Sequence, residues 1–273
     1  MFTGKIREKS IGKIRPRRLL AVLLALVVAL ILGAAAPEGW ANDAIPFDEA
    51  EVFFEFNSTD LDLGFDIFMD AEPWTSVRVI GPGGRIFKVL TDGGLQEQGN
   101  TEIMTESAEP GFCEDIDEYL CDDEFIQTKI DEFQAHFPEG WYQFRGTTID
   151  GEIMKGGAYL SHGLPAPPEI ISPEEEDELS NPFIIKWAPG EDGPAVREYE
   201  VVAEMVINGR TFKNTAILPG WAKRLTVSPQ FIGLAARALA KDELEEFKVE
   251  IVARAANLNK TITELAVFEL EAD

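Results

Sequence analysis

The sequence predicts a mainly β protein: two tandem antiparallel β-sandwich domains, the first with an inserted helix, behind an amino-terminal signal or anchor helix. Three observations carry that reading. From Asn42 onward, short segments alternate apolar and polar residues and are punctuated by Gly, Pro, Asn and Asp, as strands of an antiparallel sandwich do. The stretch Leu164-Pro165-Ala166-Pro167-Pro168 reads as a stiff linker that divides these segments into 42–164 and 165–273. Ahead of them, residues 1–41 join a basic stretch to an uninterrupted apolar run.

In the amino-terminal stretch, Lys5, Arg7, Lys9, Lys13, Arg15, Arg17 and Arg18 precede the run from Leu19 to Leu32. Gly33-Ala34-Ala35-Ala36 follows, and Gly39-Trp40-Ala41 offers a second small-x-small cut site. These are the parts of a secretory signal. The apolar segment 19–36 also borders the length of a membrane span, so a cleaved leader and a retained anchor both stay open. Either way the positive charge precedes the apolar run, which places the rest outside. The chain is expected to be exported, to the periplasm or the extracellular space, touching membrane only through residues 19–36.

The full chain carries a net charge of −25. Most of the excess lies in 42–164, with six basic residues against 27 acidic, while 165–273 has 11 against 20. Nucleic acid is excluded as a partner, because phosphate contacts need Lys and Arg. Surface charge of this kind serves solubility; the sharper alternative is binding of a divalent or cationic partner.

In the first region, Val52-Phe54-Phe56, Phe65-Ile67-Met69, Val77-Val79, Arg85–Leu90 and Glu102–Glu106 read as strands. Gly81-Pro82-Gly83-Gly84 makes a hairpin turn. Trp141–Arg145 and Ile153–Leu160 form a last hairpin about Asp150-Gly151. Ile126, Ile130, Phe133 and Phe137 recur at helical spacing and predict a helix over Asp123–His136 that packs on the sheet. In the second region, strands are predicted at Phe183–Trp187, Tyr199–Met205, Arg210–Ile217 after the Asn208-Gly209 turn, Leu225–Val227, Phe247–Ala253 and Thr261–Leu270, with a helix at Phe231–Leu239.

Five motifs of the second region go together: Pro167-Pro168, Ile185-Lys-Trp187, Pro189 with Asp192-Gly193-Pro194, Tyr199-Glu-Val201, and Phe247–Ala253. With them, roughly residues 165–271 resemble a fibronectin type III domain. The resemblance implies an Ig-like sandwich with Trp187, Tyr199 and Phe247 in its core. It also implies a role in adhesion, spacing or protein binding, with no catalytic residues of its own. One departure stands out: Phe247 occupies the place of a tyrosine whose hydroxyl normally closes a corner to the backbone. Residues 42–164 resemble no family.

Candidate sites are few. Cys113 and Cys121 are the only cysteines, and export permits a disulfide. A helix would hold their Cα atoms about 12 Å apart, beyond the ~7 Å limit of a disulfide, so the bridge requires a bent loop. Asp60, Asp62 and Asp66 could offer oxygens to Ca²⁺, the one cofactor the sequence suggests; the spacing is not that of an EF-hand. Asp and Asn here also suit a turn. Asn57 and Asn259 fit the glycosylation sequon. Ser161-His162 is no triad, and no motif for a nucleophile elbow, zinc protease or phosphate loop occurs. Trp40, Trp74, Trp141 and Trp221 are available for sugar stacking, Trp141 being expected in the core. The leading expectation is a non-enzymatic exported protein that binds or spaces other proteins or a surface polysaccharide. Its rival is a carbohydrate-active or other hydrolase using a carboxylate pair in 42–164.

Overall fold

The computed structural model describes residues 44–269, apart from 114, 115, 117, 176, 177 and 180. The predicted leader 1–41, the span 19–36 and Trp40 lie outside the described residues, among which no helix is long and apolar enough to cross a membrane.

The first half contains β1 (Ile45–Pro46), β2 (Glu49–Asn57), β3 (Asp62–Gly81), β4 (Gly84–Leu90), the short helix α1 (Gly94–Gln98) and β5 (Asn100–Glu106). A 3-10 turn (Glu118–Leu120), α2 (Asp123–Gln134), β6 (Gly140–Thr148) and β7 (Ile153–Leu160) complete it. The two strands expected at Phe65–Met69 and Val77–Val79 are one strand, β3, of 20 residues. Its pairing is irregular between Asp70 and Ser76. Pro73 sits there and has no N–H to give, so the ladder breaks and the strand continues. The first half of β3 pairs with β2 and β5, the second with β4 and β6.

Alternation in these strands sends Val52, Phe54, Leu63, Phe65, Ile67, Val79, Tyr142 and Phe144 into one core. Helix α2 is capped by Asp122, whose carboxylate accepts a 2.9 Å hydrogen bond from the Phe125 amide. Its apolar stripe lays Ile126, Ile130 and Phe133 on the core. Just beyond its end, Phe137 stacks on Phe65 at 4.1 Å.

The second half contains β8 (Glu169–Ser172), β9 (Ile184–Ala188), β10 (Val196–Ile207), β11 (Arg210–Pro219), β12 (Arg224–Thr226), α3 (Pro229–Leu239), β13 (Leu244–Ala255) and β14 (Lys260–Glu269). Asn208 and Gly209 have positive φ of 48° and 68° and turn β10 into β11. A three-stranded sheet, β12-β9-β8, lies on one side of the core. The order β11-β10-β13-β14 closes the other, giving a fibronectin III-like sandwich of seven strands. Trp187 meets Tyr199 edge-on at 5.4 Å. Phe247 is buried and meets Phe183 edge-on at 5.4 Å, with Phe231 of α3 at 6.2 Å. Ring packing thus occupies the position where the family's tyrosine would reach the backbone.

The two cores do not sit in separate sheets. Strand β14 pairs in parallel with β2, Lys260 to Glu55, Thr261 to Phe56 and Ile262 to Asn57. One sheet therefore runs from the first core into the second, and the described residues form one compact unit. Nor is the proline stretch a free linker. Asn259 donates to the carbonyls of Ser161 and Gly163, each at 2.8 Å, and accepts from the Phe54 amide at 2.9 Å. Thr261 donates to the Pro165 carbonyl at 2.6 Å. Asn259 has no exposed surface, so in the folded chain it is a structural clasp and not a glycan acceptor, which corrects the sequon reading.

Asn259→Ala should destabilise the protein by about 3 kcal/mol, since it strands the buried Phe54 amide and Ser161 carbonyl. Urea unfolding measures this, and a loss below about 1 kcal/mol would show that the clasp does not hold the junction.

Candidate functional site

Register decides which side chains share the outer face of the continuous sheet. Opposite residues in a pair point the same way. Asp66 stands opposite Glu106 of β5, and Gly64 opposite Glu55 of β2. Glu55 in turn stands opposite Lys260, which stands opposite Arg254, and Arg254 opposite Glu198. The face is acidic, and its four basic residues are all engaged. Lys260 bonds Glu55 at 2.5 Å, Arg254 bonds Glu51 at 3.1 Å, Lys248 bonds Glu264 at 3.0 Å and Lys213 bonds Glu204 at 2.6 Å. Arg254 and Lys260 also cover the ring of Phe53, which explains its burial on the outer side of β2.

Beside these pairs lies a group of carboxylates in which, among the described residues, Glu55 alone has a basic partner, Lys260. After β5 the chain runs on beside β3: Ser107 donates to the Phe65 carbonyl and Phe112 to that of Leu61. This brings Glu109 over Gly64. Carboxylate oxygens of Glu55, Glu106 and Glu109 lie within 4.8 Å of one another. Gly64 makes the space, since a Cβ there would come within 2.7 Å of Glu109 Oε1. Asp66, with no exposed surface, accepts no hydrogen bond from any described residue. Burial, then the charges of Glu55 and Glu106, push its carboxyl up to about 7 against the pull of Lys260. Glu109 is also raised to about 7, by loss of water, by Glu106 and Asp62, by a hydrogen bond with Glu106, and by Glu55.

The sequence candidates fall out differently. Asn57 accepts from the amides of Thr59 and Asp60 and donates to Asp60 and Glu264, so Asn57 and Asp60 build the turn. Asp62 acts on Glu109 electrostatically, and Asp66 lies two residues beyond Gly64, on the same face of the strand. Cys113 and Cys121 are bonded to each other with Cα atoms 5.9 Å apart. This pins the chain directly after Phe112, at the end of the segment that carries Glu109. His162 is structural: its backbone N–H donates to Glu139, its ring meets the Phe137 carbonyl, and its own carbonyl accepts from Gln134. Trp74 is in the core, whereas Trp141 is 48% exposed, contrary to expectation. Its strand turns Tyr142 and Phe144 inward, which sends Trp141 out against Tyr159 at 5.9 Å.

The other outer face of the first half is the opposite in charge. Lys88 stands opposite Arg78, Arg78 opposite Arg145, and Arg145 opposite Lys155, one row across β4, β3, β6 and β7. Residues 73–81 and strands β4, β6 and β7 hold no Asp or Glu. Among the described residues, none of the four forms an ion pair. Like charges directly opposite one another destabilise a sheet. A depression of about 340 Å³ bounded by Arg78, Lys88, Arg145, Leu90 and Ile153 lies along the row.

Sequence reasoning missed both groupings. Glu55, Glu106 and Glu109 are dispersed among 27 acids of their region. The basic row left a usable signal: Arg78 and Lys88 each sit between two inward apolar residues, and Arg145 follows inward Phe144, all in segments without acids.

No family model and no curated protein matches the chain. Solved structures similar to it include the fibronectin(III)-like modules of Clostridium thermocellum CbhA, at 8% identity and TM-score 0.28, covering 83% of this chain and 96% of that one. Chicken CNTN1 FN1–FN3 domains match at 8% identity and TM-score 0.32, over 83% of this chain and 65% of theirs. A bacterial ice-binding adhesin concerned with host cell surface retention matches at 13% identity and TM-score 0.23, over 84% and 66%. At these scores the likenesses carry no argument about a site or an activity.

In chelator-treated protein, stability should fall as pH rises from about 4 to about 7. In that window folded Asp66 keeps a proton that the unfolded chain has released. The fall is at most about 4 kcal/mol, and Asp66→Asn should flatten it. Equal urea stability of the wild type at pH 5 and pH 8 would contradict the assignment.

Proposed function

We propose that this is an exported, non-enzymatic binding and spacing protein that holds an acidic surface polysaccharide along the row Lys88-Arg78-Arg145-Lys155. The row is the observation that carries the reading. Neighbouring strands lie about 4.8 Å apart, so four charges span roughly 14 Å in a line. A linear polymer with repeated carboxylate or sulfate groups matches such a row better than a compact ligand does. Exposed Trp141 and Tyr159 flank it on the same strands and offer ring surface to a sugar. The remainder of residues 42–164 is strongly acidic, so within the first half this face is where an anion is welcome. Export rests on the basic stretch, apolar run and small-residue sites before Asn42.

The clustered carboxylates favour the hydrolytic alternative less. Asp66 is closed to solvent and Glu55 is held by Lys260, so neither is free to act on a glycosidic bond as that chemistry requires.

Calorimetric titration with a uronic-acid polymer such as alginate, and with neutral dextran as control, tests the proposal. The acidic polymer should bind saturably and dextran should not. Arg78→Gln with Arg145→Gln should weaken binding at least tenfold, about 1.4 kcal/mol, and 1 M salt should abolish it. Binding that survives the double substitution would overturn the site, and preference for a polyaspartate peptide over alginate would replace the polysaccharide by a protein partner.

A further inference from the structure

We infer that Glu55, Glu106 and Glu109, backed by buried Asp66, form a binding site for one divalent cation of the calcium type. This goes beyond the polysaccharide reading and does not rest on it, since it concerns the opposite face of the first half.

Ca²⁺ binds oxygens at about 2.3–2.6 Å, so oxygens sharing one ion lie no more than about 5 Å apart, and these three carboxylates meet that limit. They reach the point from β2, from the last residue of β5 and from the stretch that continues β5. Gly64 forms the floor, and any side chain there would displace the Glu109 carboxylate. The spot is a shaped cradle rather than chance crowding on an acidic surface.

Among the described residues Asp66 lies unpaired beside the three glutamates. It projects from the same face, directly opposite Glu106. It is fully buried with both oxygens lacking a described partner. A carboxylate sequestered from water without hydrogen bonds is costly unless a cation or a proton compensates it. Lys260 is the one basic group on it, and that ammonium is committed to Glu55 Oε2. An ion among the three glutamates would supply the missing positive charge and leave Lys260 in place.

Ligand type selects the ion. The cluster offers carboxylate oxygens and no sulfur or imidazole among its residues, which suits a hard cation. Flexible carboxylates from β2 and from the end of β5 and its continuation suit the adaptable coordination of Ca²⁺ better than the strict octahedron of Mg²⁺. Of the three aspartates that the sequence suggested, Asp66 stays with the site, Asp62 lies on its rim and Asp60 belongs to the turn.

The test is titration of chelator-treated full chain with calcium chloride by calorimetry, paired with thermal melting. The wild type should bind one ion per chain, and its Tm should rise by about 5 °C at calcium a hundredfold above Kd. Glu109→Gln, at an exposed position that should not affect folding, should weaken Kd at least tenfold. Gly64→Ala should weaken it too, because it fills the cradle without removing a charge. Magnesium should bind at least tenfold more weakly than calcium. No saturable binding in the wild type would overturn the inference. So would unchanged affinity in both Glu109→Gln and Gly64→Ala, which would mark diffuse attraction to an acidic surface. Loss of calcium binding with alginate binding retained, or the reverse, separates this site from the basic row.

Discussion

The short parallel pairing of β14 with β2 is the constraint on which the architecture depends. Three residue pairs join two halves that each have their own core. So short a ladder is weak alone. It holds because both of its sides are pinned. On the inner side Asn259 and Thr261 take up the polar groups of Phe54, Ser161, Gly163 and Pro165. On the outer side Lys260 bonds Glu55, and Arg254 bridges Glu51 and Glu198. The buried amide and carbonyls have few other means of satisfaction, which makes the junction specific as well as stable.

That continuity also sorts the charge. Once the two sheets merge, outward positions of β5, β3, β2, β14, β13 and β10 become one acidic surface, in which each basic residue neutralises a particular glutamate. The remaining surplus collects where the chain after β5 folds back over Gly64. The basic residues of β3, β4, β6 and β7 lie on the other outer face of the first half, away from those acids. Repulsion within the row and repulsion around Asp66 are opposite expressions of one arrangement. Each is a local cost that the fold sustains through cores packed by Phe54, Phe65, Phe137, Tyr142, Trp187 and Phe247.

Much of the fold was legible in the sequence because its signals are local. Alternation at Val52-Phe54-Phe56, the Asn208-Gly209 turn and the helical spacing of Ile126, Ile130 and Phe133 each depend on neighbours in the chain. So does the strand around Trp187. Less legible were β1 and β8, too short for periodicity to register. The continuity of β3 was hidden too, because Pro73 resembles an end and acts as a bend. Trp141 was misplaced because its size suggested burial, while the parity of β6 had already assigned the interior to Tyr142 and Phe144.

The functional groupings were far less readable. Asp66 was a candidate for the right chemistry with the wrong companions: Asp60 and Asp62 adjoin it in the chain, whereas Glu55, Glu106 and Glu109 adjoin it in space. By itself the sequence determined a mainly β chain, its turns and inserted helix, its fibronectin-like second half and its acidic balance, all consequences of backbone geometry and side-chain polarity within a few residues. Tertiary structure alone decided that the two halves share a sheet, that Asn259 is a clasp, that four basic residues align and that four carboxylates converge. Register between strands distant in sequence sets those meetings, and register is fixed by the packing of whole faces rather than by any one segment.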